Sequence, residues 1–240
     1  MAIVEWEKEE YVAVVRMNRE DNKQNLEFAT AMAETLDEIL EDPEVRAVVL
    51  TSGHEKTWSV GVDIEWLGGR LGEEDYPAIK AFMYGMNDVF KKLLTYPVPV
   101  IAAIGGHAFG NGAMLACACD FRFMKADRGY FCFPEVDLGI PFLPGMIAFV
   151  RKAIPEQKFC EMKLTGKRVG AGELFEHGVV VKASENAEAL MADAMAFARG
   201  FAKKRGIFGE LKRRMYKEII RVIDEEDPEY IEPLNLMVQE

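Results

Sequence analysis

Two short segments join glycines to preceding β-branched runs in a way that can do chemistry. The first is Trp58-Ser59-Val60-Gly61-Val62-Asp63-Ile64, and the second is Gly106-His107-Ala108-Phe109-Gly110-Asn111-Gly112-Ala113-Met114. Each follows a stretch that reads as a buried strand, Ala47 to Leu50 and Val100 to Ile104, and the second opens a helix. A glycine at the end of a strand lets the backbone come close to a ligand. A helix N-terminus adds unpaired N–H groups and a dipole that favours negative charge. Two such turns can aim two backbone donors at one developing oxyanion. On their glycines alone, ordinary strand-to-helix turns are the simpler reading. A third feature is Glu135, which sits in sequence among Phe131, Phe133, Pro134, Val136 and Leu138. Such neighbours desolvate a carboxylate, raise its proton affinity and make it a usable acid/base. The alternative is an exposed glutamate on a loop.

Other chemistries find little support. Gly110-x-Gly112 would need a third glycine at position 115 for a dinucleotide fingerprint, and that residue is Leu115. Cys117, Cys119, Cys132 and Cys160 have neither zinc spacing nor a C-x-x-C pair and read as small packing residues in a reducing compartment. His54, His107 and His177 show no ligand spacing, so no metal is expected. Forty acidic against 29 basic residues give a net charge of −11, which repels nucleic acid unless a basic patch opposes it. The basic cluster from Lys203 to Arg214 reads as a solvated helix face. No apolar run is long enough to span a bilayer. The segment Met1 to Glu10 has no signal pattern and the final Val238-Gln239-Glu240 is not a peroxisomal address, so a cytoplasmic location is expected.

The elements that must position these residues are legible as alternation and helical spacing. Ile3 to Lys8 and Tyr11 to Met17 read as strands joined at Glu9-Glu10, and Leu26 to Leu40 as a helix. After the strand Ala47 to Leu50 come a loop, a helix from about Pro77 to Leu94, and the strand Val100 to Ile104. Phe121 to Met124 reads as a further strand. This strand–helix alternation predicts parallel strands with helical crossovers. The second half reads as helices over about Phe142 to Ala153, Glu156 to Leu164, Ala171 to Glu176, Ala187 to Ala202 and Glu210 to Ile223. A short strand, Val179 to Val181, interrupts them, and Pro228 to Glu240 has little pattern.

Five ordered blocks together resemble the crotonase (enoyl-CoA hydratase/isomerase) superfamily. Trp58 to Ile64 is similar to its F-S-A-G-A-D-I segment, and Pro99 to Gly112 to its P-V-I-A-A-V-N-G-x-A-x-G-G-G. Cys119-Asp120-Phe121-Arg122 matches C-D-x-R, Phe133 to Gly139 contains the P-E-x-x-L-G of F-x-x-P-E-x-x-L-G, and Leu164 to Arg168 matches L-T-G-x-R. The resemblance runs from Asn18 to about Val181. It implies an α/β fold of repeated ββα units with two sheets at an angle. A core domain is expected over 1–182, with a helical C-terminal trimerisation region over 183–240.

The resemblance also implies roles. The Val62 and Asn111 N–H groups become the oxyanion donors for a bound acyl-CoA thioester, and Glu135 the carboxylate beside the acyl chain. CoA lies bent across the two glycine turns, touching Val60, Gly61, Asp63, Ile64, Phe109, Gly110 and Leu138. Lys23, in a loop similar to the family's N-R-P…N-A-L, is placed to meet a CoA phosphate, although Glu20 replaces the usual proline. Trp58, Trp66, Phe82, Phe109 and Phe142 are candidates for the acyl pocket, of which two or three are expected to line it. No cofactor beyond the CoA of the substrate is implied. Met114 is the informative departure, because hydratases of the family carry a second glutamate there. One carboxylate without a second suits a 3-enoyl to 2-enoyl isomerase, which needs a base and an oxyanion hole but no water. Hydration, thioester hydrolysis, decarboxylation, a non-catalytic CoA- or RNA-binding module and a trimeric scaffold are the competing readings. The assembly is expected to be a homotrimer or a dimer of trimers.

Overall fold

The central strands are apolar at almost every position because both faces of their sheet are covered. Val12, Val14, Val49 and Ile101 pack on one side, and Ala13, Val15, Leu50 and Ile104 on the other. This is the period-2 pattern of a pleated strand buried twice over. The computed structural model describes residues 2–201 and 203–238. Met1, Gln239, Glu240 and the last residue of the expected helix Ala187 to Ala202 lie outside the described residues.

In chain order, β1 (Val4–Glu9) and β2 (Val12–Met17) form a hairpin through Glu10, whose φ is 58°. A 3-10 turn (Glu20–Asn22) leads to β3 (Lys23–Gln24), and Asn25 caps α1 (Leu26–Glu41) by accepting from the Phe28 N–H. Then come β4 (Ala47–Ser52), β5 (Thr57–Ser59), β6 (Gly61–Val62), α2 (Ile64–Gly72) and α3 (Tyr76–Thr95). β7 (Val100–Ile104), β8 (His107–Phe109), α4 (Asn111–Ala118), β9 (Phe121–Lys125), β10 (Phe131–Cys132) and α5 (Glu135–Leu138) follow. The rest is α6 (Pro144–Ala153), α7 (Glu156–Thr165), α8 (Ala171–Glu176), β11 (Lys182–Ser184), α9 (Ala187–Arg199), α10 (Arg205–Met215), α11 (Lys217–Glu225) and α12 (Pro228–Ile231).

The main sheet has the order β1-β2-β4-β7-β9-β11, with only β1–β2 antiparallel. A second sheet, β10-β8-β5, is parallel throughout, and β3 pairs with β6. The unit that recurs is one strand in the main sheet, one in the second sheet, then a helix: β7, β8, α4 and again β9, β10, α5. The parallel neighbours β8 and β10 therefore both deliver the chain to a helix start at the same end of their sheet. That is what brings Gly110 and Glu135 together.

Three expectations shift. The short strand lies at Lys182–Ser184 rather than Val179 to Val181. Val179 and Val180 are buried, but in a bend tied to Leu174 and Arg122, so their hydrophobicity reports burial and not a ladder. The single helix expected over Glu210 to Ile223 is two, broken at Tyr216. The position between 182 and 183 falls inside β11, and α9 covers the outer face of the main sheet through Leu190, Ala194 and Ala198.

The chain after α11 returns across the molecule. Asp227, fully buried, accepts from the Gly145 N–H of α6 (2.7 Å) and the Asn87 amide of α3 (2.9 Å). Asp227→Ala strands both donors in the interior. A loss of about 1–3 kcal/mol in unfolding free energy is expected, read as a lowered denaturant midpoint. A change below about 0.5 kcal/mol would show that the contact does not hold the C-terminal segment down.

Candidate active site

The site is built where β6 meets the first turn of α4. In the β3–β6 ladder the Asp63 N–H donates to the Gln24 carbonyl (2.8 Å). Parallel pairing then turns the Val62 N–H to the opposite edge of β6, away from β3. Asn111 is the first residue of α4, and its N–H has no intrahelical acceptor. Gly61 holds the two donors close. Its φ is +87°, and a Cβ there would come within 2.9 Å of the Asn111 nitrogen and 2.8 Å of the Phe109 oxygen. Gly110 takes φ +53° and ψ −124°, a combination open to glycine, and a Cβ on it would sit 3.0 Å from Glu135 Oε1. Glu135 thus lies directly beside the two donors.

The polar interior behind the turns fixes their spacing. Asn111 Nδ2 donates to Gln24 Oε1 (2.7 Å), Gln24 Nε2 to Ser59 Oγ (3.1 Å), and Ser59 Oγ to the Asn22 carbonyl (2.7 Å). The Asn111 side chain therefore points inward, and its main-chain N–H stays available. The far end of α4 is held as firmly. Arg122 donates to the Ala116 and Cys119 carbonyls and Lys152 to those of Cys117 and Cys119, all within 3.2 Å. Two cations at the C-terminus complement the same dipole whose positive end faces the site. Burial pushes the Cys117 thiol up to about 11 and that of Cys119 to about 12, so neither is a nucleophile.

A cavity of ≈ 260 Å³ opens from this junction. Val62, Gly110, Asn111, Met114 and Glu135 form one end. Phe82, Phe142, Met146 and, from the C-terminal segment, Leu234, Leu236 and Met237 belong to its apolar wall. Glu135 is the only titratable residue of the lining among the described residues. It is 7% exposed, its Oε2 is buried without a hydrogen-bond partner, and burial raises its pKa to about 7. The charge of Lys163 opposes that rise.

The sequence profile of the family described as enoyl-CoA hydratase/isomerase matches residues 7–226. The chain belongs to this family. Enoyl-CoA delta isomerase 3 of Arabidopsis thaliana is 30% identical over 186 residues, covering 74% of this chain and 76% of that one. Carnitinyl-CoA dehydratase of Salmonella enteritidis is 31% identical over 202 residues, 84% of this chain and 74% of that one. The crystal structure of an enoyl-CoA hydratase from Bacillus halodurans superposes with a TM-score of 0.86 at 19% identity, over 96% of this chain and 94% of that one. The α/β crotonase fold expected from the sequence is thus present.

Within this family member the expected residues distribute unevenly. Val60, Val62, Ile64, Gly110, Asn111, Glu135 and Leu138 line the cavity. Lys23 is half-buried and pairs with Gly61 in the β3–β6 ladder, beside the junction. The Asp63 carboxylate caps α2 through the Trp66 N–H and pairs with Arg19 at 3.3 Å, so it is engaged in structure. Phe109 does not line the cavity and instead lies between His107 and the Arg168 guanidinium. Of the five aromatic candidates, Phe82 and Phe142 line the cavity, whereas Trp58 is wholly in the core and Trp66 packs edge-on against Phe82. Val136, expected beside the carboxylate, is 45% exposed; the apolar surroundings of Glu135 come from the cavity wall instead.

Sequence reading missed Gln24, Ser59, Lys152 and Lys163, and did not single out Leu234, Leu236 and Met237 within the C-terminal segment that here covers the chain's own cavity. Gln24 and Asn111 are 87 positions apart, and no local pattern pairs them. Gln24→Ala leaves the Asn111 amide without its acceptor in a buried network. A loss of about 1–3 kcal/mol in stability is expected from denaturant unfolding. An unchanged midpoint would mean that the network does not fix the two turns.

Proposed function

We propose that the protein is an isomerase that shifts the double bond of a 3-enoyl-CoA to give the 2-enoyl-CoA. The observation that carries this reading is that Glu135 is the one carboxylate lining the cavity among the described residues, in a mostly apolar wall in which Met114 occupies the place of a second acid. Hydration or dehydration needs a water held and activated between groups, and among the described residues the cavity lining offers one such group, Glu135.

In the proposed reaction the thioester oxygen takes hydrogen bonds from the Val62 and Asn111 N–H groups. The Glu135 carboxylate removes a proton from carbon 2, and electron density moves to the oxygen as a dienolate. The two N–H bonds strengthen as that charge develops, which lowers the barrier. Glu135 then returns the proton to carbon 4, the double bond settles between carbons 2 and 3, and the carboxylate is regenerated. A pKa near 7 suits a group that must accept and donate in one cycle. On the CoA side, Val60, Gly61 and Ile64 form the rim under the pantetheine, and Lys23 beside Gly61 meets a phosphate. The helical C-terminal region assembles a trimer; α10 supports this with Ile207, Leu211 and Met215 exposed on one stripe four residues apart.

Purified protein incubated with a 3-enoyl-CoA should yield the 2-enoyl-CoA at unchanged mass, and a 2-enoyl-CoA should gain no water. Addition of water would replace this reading with that of a hydratase. Glu135→Gln should lower kcat by about 10²–10⁴-fold with little effect on acyl-CoA affinity. Near-normal turnover by that variant would remove Glu135 from the mechanism. The rate should rise with pH through about 7, as the base form of Glu135 accumulates, and then level off. Sedimentation should give three chains per particle or a multiple of three, and a monomer would contradict the assembly.

A further inference from the structure

Lys163 is a cation that the fold does not use for structure. It lies on α7, which packs against α5, the helix that begins with Glu135. Its Nζ is buried and has no hydrogen-bond partner, and no carboxylate of the described residues lies within 4.0 Å. It sits 3.3 Å from the centre of the Phe142 ring. Phe142 lines the acyl cavity, and Lys163 does not. The ring, held edge-on by Phe133 at 5.4 Å, therefore separates the ammonium from the cavity.

Among the described residues, every other charged group on α6 and α7 has a partner elsewhere. On α7, Lys158 and Lys167 are paired with Glu161 and Glu173. On α6, Arg151 pairs with Glu156, and Lys152 binds the carbonyls at the end of α4. After α7, Arg168 lies on the Phe109 ring. From α5, Asp137 lies against Gly166, and from β10 the Cys132 thiol donates to the Gly166 carbonyl at 3.1 Å. Glu135 Oε2 and Lys163 Nζ remain as two buried, oppositely charged groups that lack partners. An unpaired buried ammonium is costly, and a cation–π contact offsets part of that cost.

We propose that Lys163 is a positioning residue for Glu135: its ammonium, seated behind the Phe142 ring, supplies the positive field that keeps the Glu135 carboxylate available as a proton acceptor. A direct ion pair would tie down the oxygens that must take and return the proton. A field exerted from behind an aromatic ring stabilises the anion and leaves Oε2 free. In a low-dielectric interior such a field reaches further than it would in water. Burial pulls the two groups in opposite directions, Glu135 up to about 7 and Lys163 down to about 8, and each one's charge acts against the shift of the other. The inference rests on the isomerase reading for its consequence in turnover, but not for its electrostatics.

The test is a pH titration of the protonated-carboxyl infrared band that disappears in E135Q, made on the full chain as wild type, K163M and K163R. In K163M the midpoint should rise by about one pH unit. In K163R it should stay within a few tenths of a unit of wild type. K163M should unfold at no lower temperature than wild type, because it removes an unpaired buried charge and keeps the length of the side chain. The pH limb of kcat/KM should move with the midpoint, so that turnover falls at pH 7 and recovers about one unit higher. An unmoved midpoint in K163M overturns the proposal, as does an equal rise in K163R, which would point to packing rather than charge. If K163M fails to fold, K163Q is read by the same criteria. If the midpoint moves as stated but no variant, wild type included, isomerises a 3-enoyl-CoA, the reaction reading fails and the electrostatic role of Lys163 stands.

Discussion

Two backbone N–H groups can converge on one oxygen only where a strand end lies against a helix start with no side chain between them. Here that constraint is met at Gly61 and Asn111, where a single methyl group on Gly61 would come within 2.9 Å of the opposing nitrogen. Much of the surrounding architecture serves this contact. The β3–β6 ladder sets which edge of β6 faces the site. The chain from Asn111 through Gln24 and Ser59 to Asn22 fixes how far apart the two turns stand. Arg122 and Lys152 hold α4 from its other end and complete its dipole. Because the two N–H groups are main-chain, the asparagine at 111 leaves them unobstructed, its side chain donating to Gln24 behind the turn.

The second constraint is a low dielectric around one carboxylate. Glu135 begins a one-turn helix that follows β10, in the sheet that also carries the chain into Gly110 through β8. Its apolar surroundings come from α3 through Phe82, from the α5–α6 segment just downstream through Phe142 and Met146, and from the C-terminal return through Leu234 and Leu236. The return is anchored by Asp227 and ends with the Val238 N–H donating to the Gly139 carbonyl at 2.8 Å, just past α5. Closing the cavity and tuning the base are therefore one structural act, since the residues that exclude water also raise the proton affinity of Glu135.

What was legible in the sequence follows from how local each signal is. Gly61, Gly110 and Glu135 announce themselves because glycine turns and a carboxylate in an aromatic run are contiguous patterns. The doubly buried strands, α1 and α3 show in the spacing of their own side chains. The two- and three-residue strands β3, β6, β8 and β10 were not visible, because so short a run carries no periodicity, yet they aim the Val62 N–H and deliver Gly110. Val179 and Val180 misled because a buried bend needs the same hydrophobicity as a strand. Gln24, Lys152 and Lys163 could not be read at all: each acts on a residue 28 or more positions away, and only the fold supplies that pairing. Leu234, Leu236 and Met237 read as a patternless tail, since a segment that closes a cavity needs apolar contact but no regular repeat.

In the proposed reaction one sheltered carboxylate carries a proton between two carbons of the same substrate while the two glycine turns hold the charge. The most direct test is to run the reaction of a 3-enoyl-CoA in heavy water and follow early product by mass spectrometry. The expected product is a 2-enoyl-CoA that retains mostly its own proton, because Glu135 returns what it took before the dry cavity exchanges it. A product that carries added heavy water, or that is fully deuterated at carbon 4 from the first turnover, would contradict it.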